Sequence, residues 1–433
     1  MNRKILNIAI PNIISNITIP LLGIVDLALV GHLDSKVYIG AIAIGSMIFN
    51  FIYWGFSFLR MGTSGFTAQS YGKKDLRESF QVLYRAIFVG ALGSIFLLII
   101  QKPIDLLSFF IINGSDEVEF FARQYFYIRI WAAPATLAIY SISGWYIGMQ
   151  NAKIPMILAI VINLLNIIFN ILFIKVFGMK SDGVALGTVL AQYTGLIIAL
   201  LFLSKHSKRL KSYFNKNEIL NRSALKRFFN VNKDIFIRTM SLVFALSFFT
   251  AKSAKYGDTL LAVNTLLLQF FTIYAYMVDG FAYAGEALAG RYFGAKNKTN
   301  LVKITKLLFY WGIILSVIFT SIYFFADNIL LKILTNNVEV LQDIQPYLFW
   351  VYLIPVLTFG AFIWDGIFIG ATASASMRNA MLISTFLVFV PFYFILHHFF
   401  YNHGLWAAFM LFMIARFISL SIYAPKAIYN QLT

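Results

Sequence analysis

The sequence predicts an all-α polytopic membrane protein of 12 transmembrane helices, built as two six-helix parallel-repeat bundles around a central cleft. Three observations lead there. The 433 residues are 60% hydrophobic and only 12% charged, with a mean hydropathy of +0.77; a soluble domain carries roughly twice that charge. Apolar runs of about 20 residues or more recur along the chain, which suits membrane helices and excludes the alternating pattern of a membrane barrel. The chain also repeats itself at an offset of 222 residues, as set out below.

The spans fall at residues 5–31, 37–70, 77–101, 117–149, 154–178, 183–204, 234–252, 259–292, 301–325, 340–371, 376–398 and 404–425. A helix needs about 20 residues to cross the hydrocarbon. The second, fourth, eighth and tenth exceed that length, so tilt or protrusion into water is expected of them. The first run is too long for a cleavable signal, lacks a small-residue cleavage site and is followed by further spans. Cysteine is absent, which excludes disulfides and thiolate metal sites.

Charge placement gives the orientation. Alternating loops on one side hold 21 Lys and Arg, those opposite only 7, so the positive-inside rule puts both termini in the cytoplasm. The net charge of +17 is thus a topology signal, and nucleic acid drops out as a partner. Most of the excess lies in one basic stretch, residues 205–233, which divides an N-terminal lobe (1–204) from a C-terminal lobe (234–433). Its Ser223–Phe229 portion reads either as an amphipathic helix on anionic lipid or as part of a solvated linker.

At the 222-residue offset, Gly144-Trp145-Tyr146-Ile147-Gly148 falls on Gly366-Ile367-Phe368-Ile369-Gly370, Tyr71-Gly72 on Phe293-Gly294, and Tyr125 on Tyr347. Each half has an even number of spans, so both enter from the same side, giving a parallel repeat about an axis along the membrane normal. Two matched bundles suit alternating access. That architecture indicates a transporter without naming a cargo.

Four of the 18 carboxylates lie within spans away from their first and last turns: Asp26, Asp279, Glu286 and Asp365. Asp26 is the only ionisable residue of the first long apolar run. A carboxylate at mid-membrane costs roughly 2.5–3.5 kcal/mol on insertion scales and usually faces a cavity or partner. Protonation relieves the cost, which makes such a group a natural proton carrier; the competing reading is that Asp26 sits near the outer end and reaches headgroup water. Asp279 and Glu286, seven apart, share a helical face. Arg129 and Arg238 are intramembrane cations able to neutralise acids, and a buried ion pair that fixes packing is an equal reading for Glu286, with Arg238 or Arg291 as partner.

In the fifth span Asn163, Asn166 and Asn170 fall on one stripe, and amides in lipid need partners inside the bundle. They serve either as interhelical glue or as a network tuning Asp26, with Thr188 of the sixth span beside them. Pro11 and Pro20 favour a bend in the first span. The abundant aromatic side chains are mostly core or interfacial belt, though some suit a cavity for flat cations. The five His form no H-E-x-x-H pattern, and no Walker loop, G-x-S-x-G or dinucleotide fingerprint occurs, so an enzyme or nucleotide-driven pump is not indicated.

The chain resembles the multidrug and toxic compound extrusion (MATE) family, in its DinF-like branch. The likeness rests on Pro20–Asp26 with Gly31-His32-Leu33, Gly62–Gln69, Arg129–Pro134 and Gly144–Gln150 followed by Lys153 and Pro155. In the second half it rests on Asp279-Gly280-Phe281-Ala282 and Asp365–Thr372. The resemblance implies a monomeric antiporter in the bacterial inner membrane, exporting amphipathic or cationic compounds against H+ or Na+, with no cofactor. It implies that Asp26 is the first-helix carboxylate and that Asn166, Asn170 and Thr188 are its polar partners. Some relatives carry Asp where this chain has Asn170, and Tyr where it has Leu22; the missing carboxylate weakens a Na+ site and favours H+ coupling. Asp279, Glu286 and Asp365 remain second-lobe candidates for ion or substrate contact. The alternatives are a Na+-coupled exporter and a flippase for a lipid-linked precursor, which would need a strongly cationic cavity.

Overall fold

A computed structural model describes the backbone of residues 1–30, 35–112 and 114–432, and the side chains among these outside residues 19–30. The described chain is helical throughout. In order come α1 (Asn2–Val30), α2 (Lys36–Gly55), α3 (Phe58–Gly72), α4 (Leu76–Ile99), α5 (Gln101–Ile112), α6 (Asp116–Arg129), α7 (Ala133–Gly148), α8 (Lys153–Ile171) and α9 (Ser181–Ser204). There follow α10 (Ser207–Tyr213), α11 (Lys216–Ile219), α12 (Arg222–Ser253), α13 (Asp258–Gly294), α14 (Lys298–Leu334), α15 (Val338–Asp343), α16 (Leu348–Gly370), α17 (Ser374–Leu382) and α18 (Val390–Ala427). Among the described residues nine helical segments are long and apolar enough to cross a membrane. One of them, Ser374–Leu432, contains the eleventh and twelfth spans. The first span (α1) and the fourth (α6 with α7) complete the twelve.

The long spans are long for different reasons. The second is two helices, α2 and α3, meeting at Phe56 and Ser57. The fourth and tenth are each broken by a short 3-10 turn, at Ile130–Ala132 and Gln345–Tyr347, with Pro134 and Pro346 beside the breaks. Proline supplies no backbone N–H there, so the ladder tightens or restarts. The eighth, α13, is continuous over 37 residues, roughly 55 Å at the helical rise, and so extends beyond the hydrocarbon. The loop expected between the last two spans shrinks to one residue, Tyr401, at φ +52°.

The 222-residue repeat is visible in the backbone. Lys74 and Lys296 both take positive φ, as do Gln150 and Thr372. Asp75 caps α4 by accepting from the Glu78 N–H at 2.9 Å, and Asn297 caps α14 by accepting from the Asn300 N–H at 3.0 Å. Helix crossings repeat too. Gly144 lies against the carbonyl of Arg60, and Gly366 against that of Ala282. A Cβ on Gly148 would fall 2.6 Å from the Ser64 oxygen, and one on Gly370 2.5 Å from the Glu286 oxygen. Only glycine allows backbones to approach this closely, the usual route to tight helix packing in lipid.

The chain forms two compact units. One holds residues 14–71 and 75–228, the other 1–13, 72–74 and 229–433, so the division falls inside α1 and inside α12. The first has a core from α4, α7, α8 and α9, including Phe80, Trp145, Leu158 and Ala199, with the Trp145 indole donating to the Ser79 carbonyl at 3.0 Å. In the other, α13, α14, α16 and α18 pack together around Phe270, Tyr274, Tyr323 and Phe409. Start of α1 belongs with these helices: the Trp311 indole donates to Asn2 at 3.3 Å, and Gly280 faces the Ala9 carbonyl.

Candidate functional site

In the unit of residues 14–71 and 75–228, the amide stripe of α8 forms a directed chain of hydrogen bonds. Asn170 Nδ2 donates to Asn166 Oδ1 at 3.0 Å, Asn166 Nδ2 to Thr188 Oγ1 at 2.9 Å, and Thr188 Oγ1 to the Val184 carbonyl at 2.9 Å. The i, i+4 spacing stacks the two amides, both buried, and α9 brings Thr188 alongside. Gly187 makes the approach feasible, because a Cβ there would collide with Asn170 Oδ1. One turn earlier Asn163 Nδ2 donates to Thr18 Oγ1 of α1 at 2.8 Å, and Thr18 in turn donates to the Ser15 carbonyl at 2.7 Å. Just beyond Asn170 the helix widens into a π-helical turn, Leu172–Val176, an irregularity often found at functional sites. Asp26 lies on α1, but its side chain is outside the described residues, as are those of Pro20 and Leu22.

The second cluster belongs to the other unit. Asp365 of α16 is buried, and its Oδ2 accepts from two guanidiniums: Arg238 of α12, and Arg416 of α18 through Nη2 at 2.6 Å. Arg416 is fully packed, with Nη1 3.1 Å from the Met413 sulfur and its charge 5.5 Å from the Phe412 ring centre. Asp279 acts electrostatically on Arg416, and is half-buried on α13, where Glu286 is buried two turns further on. Arg238, one of two cations considered for Glu286, is therefore engaged by Asp365. Among the described residues Arg129 meets no carboxylate: it donates to the Tyr125 hydroxyl and to Ser46 Oγ at 3.2 Å, with the Phe49 ring 5.0 Å away.

Sequence reasoning missed Arg416. It is the one charge between Gly404 and Pro425, a signal as plain as that of Asp26. Among the described residues no three His, Cys, Asp or Glu gather as a metal site.

Comparison with known proteins fits this frame. The MatE family model matches residues 11–172 and 235–395, one stretch in each half. The chain belongs to the MatE family. It is thus a multi-pass membrane transporter and not an enzyme. The chain is 34% identical over 428 residues to DNA damage-inducible protein F of Escherichia coli (strain K12), covering 97% of this chain and 91% of that protein. It is 20% identical over 351 residues to the probable multidrug resistance protein NorM of Thermotoga maritima, covering 79% and 74%. The MATE transporter VcmN of Vibrio cholerae, in its bent form, superposes with a TM-score of 0.88 at 17% identity, over 99% of this chain and 97% of that one.

Proposed function

We propose that this MatE-family protein is a secondary active antiporter that exports amphipathic or cationic compounds in exchange for inward H+, with Asp26 as the proton carrier. The observation that carries the reading is the hydrogen bond from Asn163 to Thr18. It joins α8 to α1 eight residues before Asp26, one turn before the α8–α9 amide chain of Asn166, Asn170 and Thr188. Polar groups joined inside a lipid-embedded bundle, on the helix that holds a lone carboxylate, are the surroundings in which a proton site can be tuned. Asn166, Asn170 and Thr188 would set that environment. In the second lobe, two guanidiniums on Asp365 repel a metal cation, which supports H+ over Na+. One carboxylate against two guanidiniums leaves a single net positive charge, which falls short of the strongly cationic cavity a flippase would need for a pyrophosphate. Asp279 and Glu286 remain the second-lobe candidates for substrate contact.

The likeness to a probable multidrug resistance protein supports efflux as the direction of transport. A bacterial inner membrane, cytoplasmic termini and a monomer of two lobes (1–204 and 234–433, joined through 205–233) complete the proposal, the first on the likeness to the Escherichia coli protein and the second on the loop charges. The deciding experiment is dye efflux from vesicles holding the purified chain, driven by a pH gradient or a Na+ gradient alone. Wild type should respond to the pH gradient and Asp26→Asn should not. Equal efflux by the variant removes Asp26 from the mechanism, and efflux driven by Na+ alone overturns the proton assignment.

A further inference from the structure

The basic stretch between α9 and α12 is not a tether. Residues 207–213 and 216–219 form α10 and α11, laid along the flank of α4. Three backbone carbonyls of the stretch are held by α4 side chains: Leu210 by the Tyr84 hydroxyl at 2.6 Å, Tyr213 by Gln81 at 2.5 Å, and Glu218 by Arg85 at 3.0 Å. Arg77 binds the Glu218 carboxylate through both Nε and Nη2. Phe80 packs on Tyr213 and His206, and Tyr84 meets Phe214 edge-on. Tyr84 is eight residues into α4, roughly 12 Å along its axis. The stretch is therefore a strap pressed against the side of a membrane helix near its end, and it is bounded by two spans that keep it at that level.

Its outward face is one-signed. Lys208, Arg209, Lys211, Lys216, Arg222 and Lys226 are exposed and, among the described residues, form no ion pair. Glu218 is the one acid between residues 205 and 231, and Arg77 occupies it. Phe214 (61% exposed) and Leu220 (41%) stand out among these cations. Unpaired cations with protruding apolar side chains at the end of a membrane span match anionic lipid headgroups and the first carbons of their chains. We propose that the strap is a binding site for anionic phospholipid, clamped to α4 so that headgroup binding braces this lobe. The site is the docked segment 205–222; the Ser223–Phe229 portion is the opening of the continuous helix α12.

The test uses the full-length protein in neutral detergent, with thermal unfolding followed as phosphatidylglycerol or phosphatidylcholine is added. Phosphatidylglycerol should raise Tm for wild type, phosphatidylcholine should not, and salt should weaken the rise, since charges exposed to water are screened over about 10 Å at 0.1 M. The variant Lys208→Gln/Arg209→Gln/Lys211→Gln/Lys216→Gln, which leaves the α4 contacts intact, should lose the rise while keeping the lipid-free Tm. The swap Lys208→Arg/Arg209→Lys/Lys211→Arg/Lys216→Arg should retain it. A control with the same charge loss, Lys296→Gln/Lys298→Gln/Lys303→Gln/Lys306→Gln, should also retain it. A rise that survives in the strap variant, that disappears equally in the control, or that phosphatidylcholine reproduces overturns the proposal.

Discussion

Gly144 of α7 rests against the backbone carbonyl of Arg60 in α3, and 222 residues later Gly366 rests in the same way on Ala282. A methyl group at either glycine would overlap the facing carbonyl. Gly144→Ala and Gly366→Ala should each destabilise the protein by about 1–3 kcal/mol, the usual cost of overpacking a tight contact. Thermal unfolding in detergent measures it. A loss at one position and none at the other would deny that the two crossings are equivalent.

Asp365 is the shared counter-ion of two buried guanidiniums. Asp365→Asn leaves Arg238 and Arg416 facing each other without their counter-ion. Removing one partner of a buried pair typically costs about 3–5 kcal/mol, so the variant should express poorly and melt early. Adding Arg416→Met to Asp365→Asn should recover part of the loss, and the double-mutant cycle in Tm reads that coupling.

The amide chain of α8 should matter less for stability than for titration. Interhelical hydrogen bonds in membranes average only about 0.6 kcal/mol. Asn166→Ala should accordingly shift Tm little, yet move the pH dependence of efflux if the chain tunes Asp26. An unchanged pH profile would leave Asn166 as interhelical glue.

His206, at the start of the strap, has its pKa held below the ordinary 6.5 by burial and by the nearby Arg209 charge. A depressed histidine stays neutral in the fold while the unfolded chain takes up a proton. Its stabilising contribution is therefore complete above pH 6.5 and is lost as pH falls through the lowered folded value. Mild acid should loosen the strap from Phe80 and Trp145, seen as faster proteolysis after Lys208 or Lys211. His206→Phe should abolish that acid sensitivity.

The spans were readable because lipid demands long apolar runs, and among the described residues each of the twelve predicted segments is mainly helix. Reading stopped short where polarity misleads. The start of α12 at Arg222 lies in basic sequence that resembles a linker, and α5 falls between the third and fourth predicted spans. The repeat was legible from Gly144 and Gly366, whose type is fixed by a backbone contact. The Arg416–Asp365 pair was not, because the partners are 51 residues apart and nothing local links them. Likewise the spacing of Asn166 and Asn170 gives a shared face, whereas the Thr18 partner of Asn163, 145 residues away, needs the fold.

At the crossings that glycine permits, the halves hold matching backbones with unlike side chains. Ser64, beneath Gly148, has Glu286 as its counterpart, and Ser143 has Asp365. The joinery repeats between the halves, and the polar side chains beside it do not. A residue swapped onto its counterpart position should thus fit sterically and fail electrically, so mirrored substitutions would reveal which half does which job.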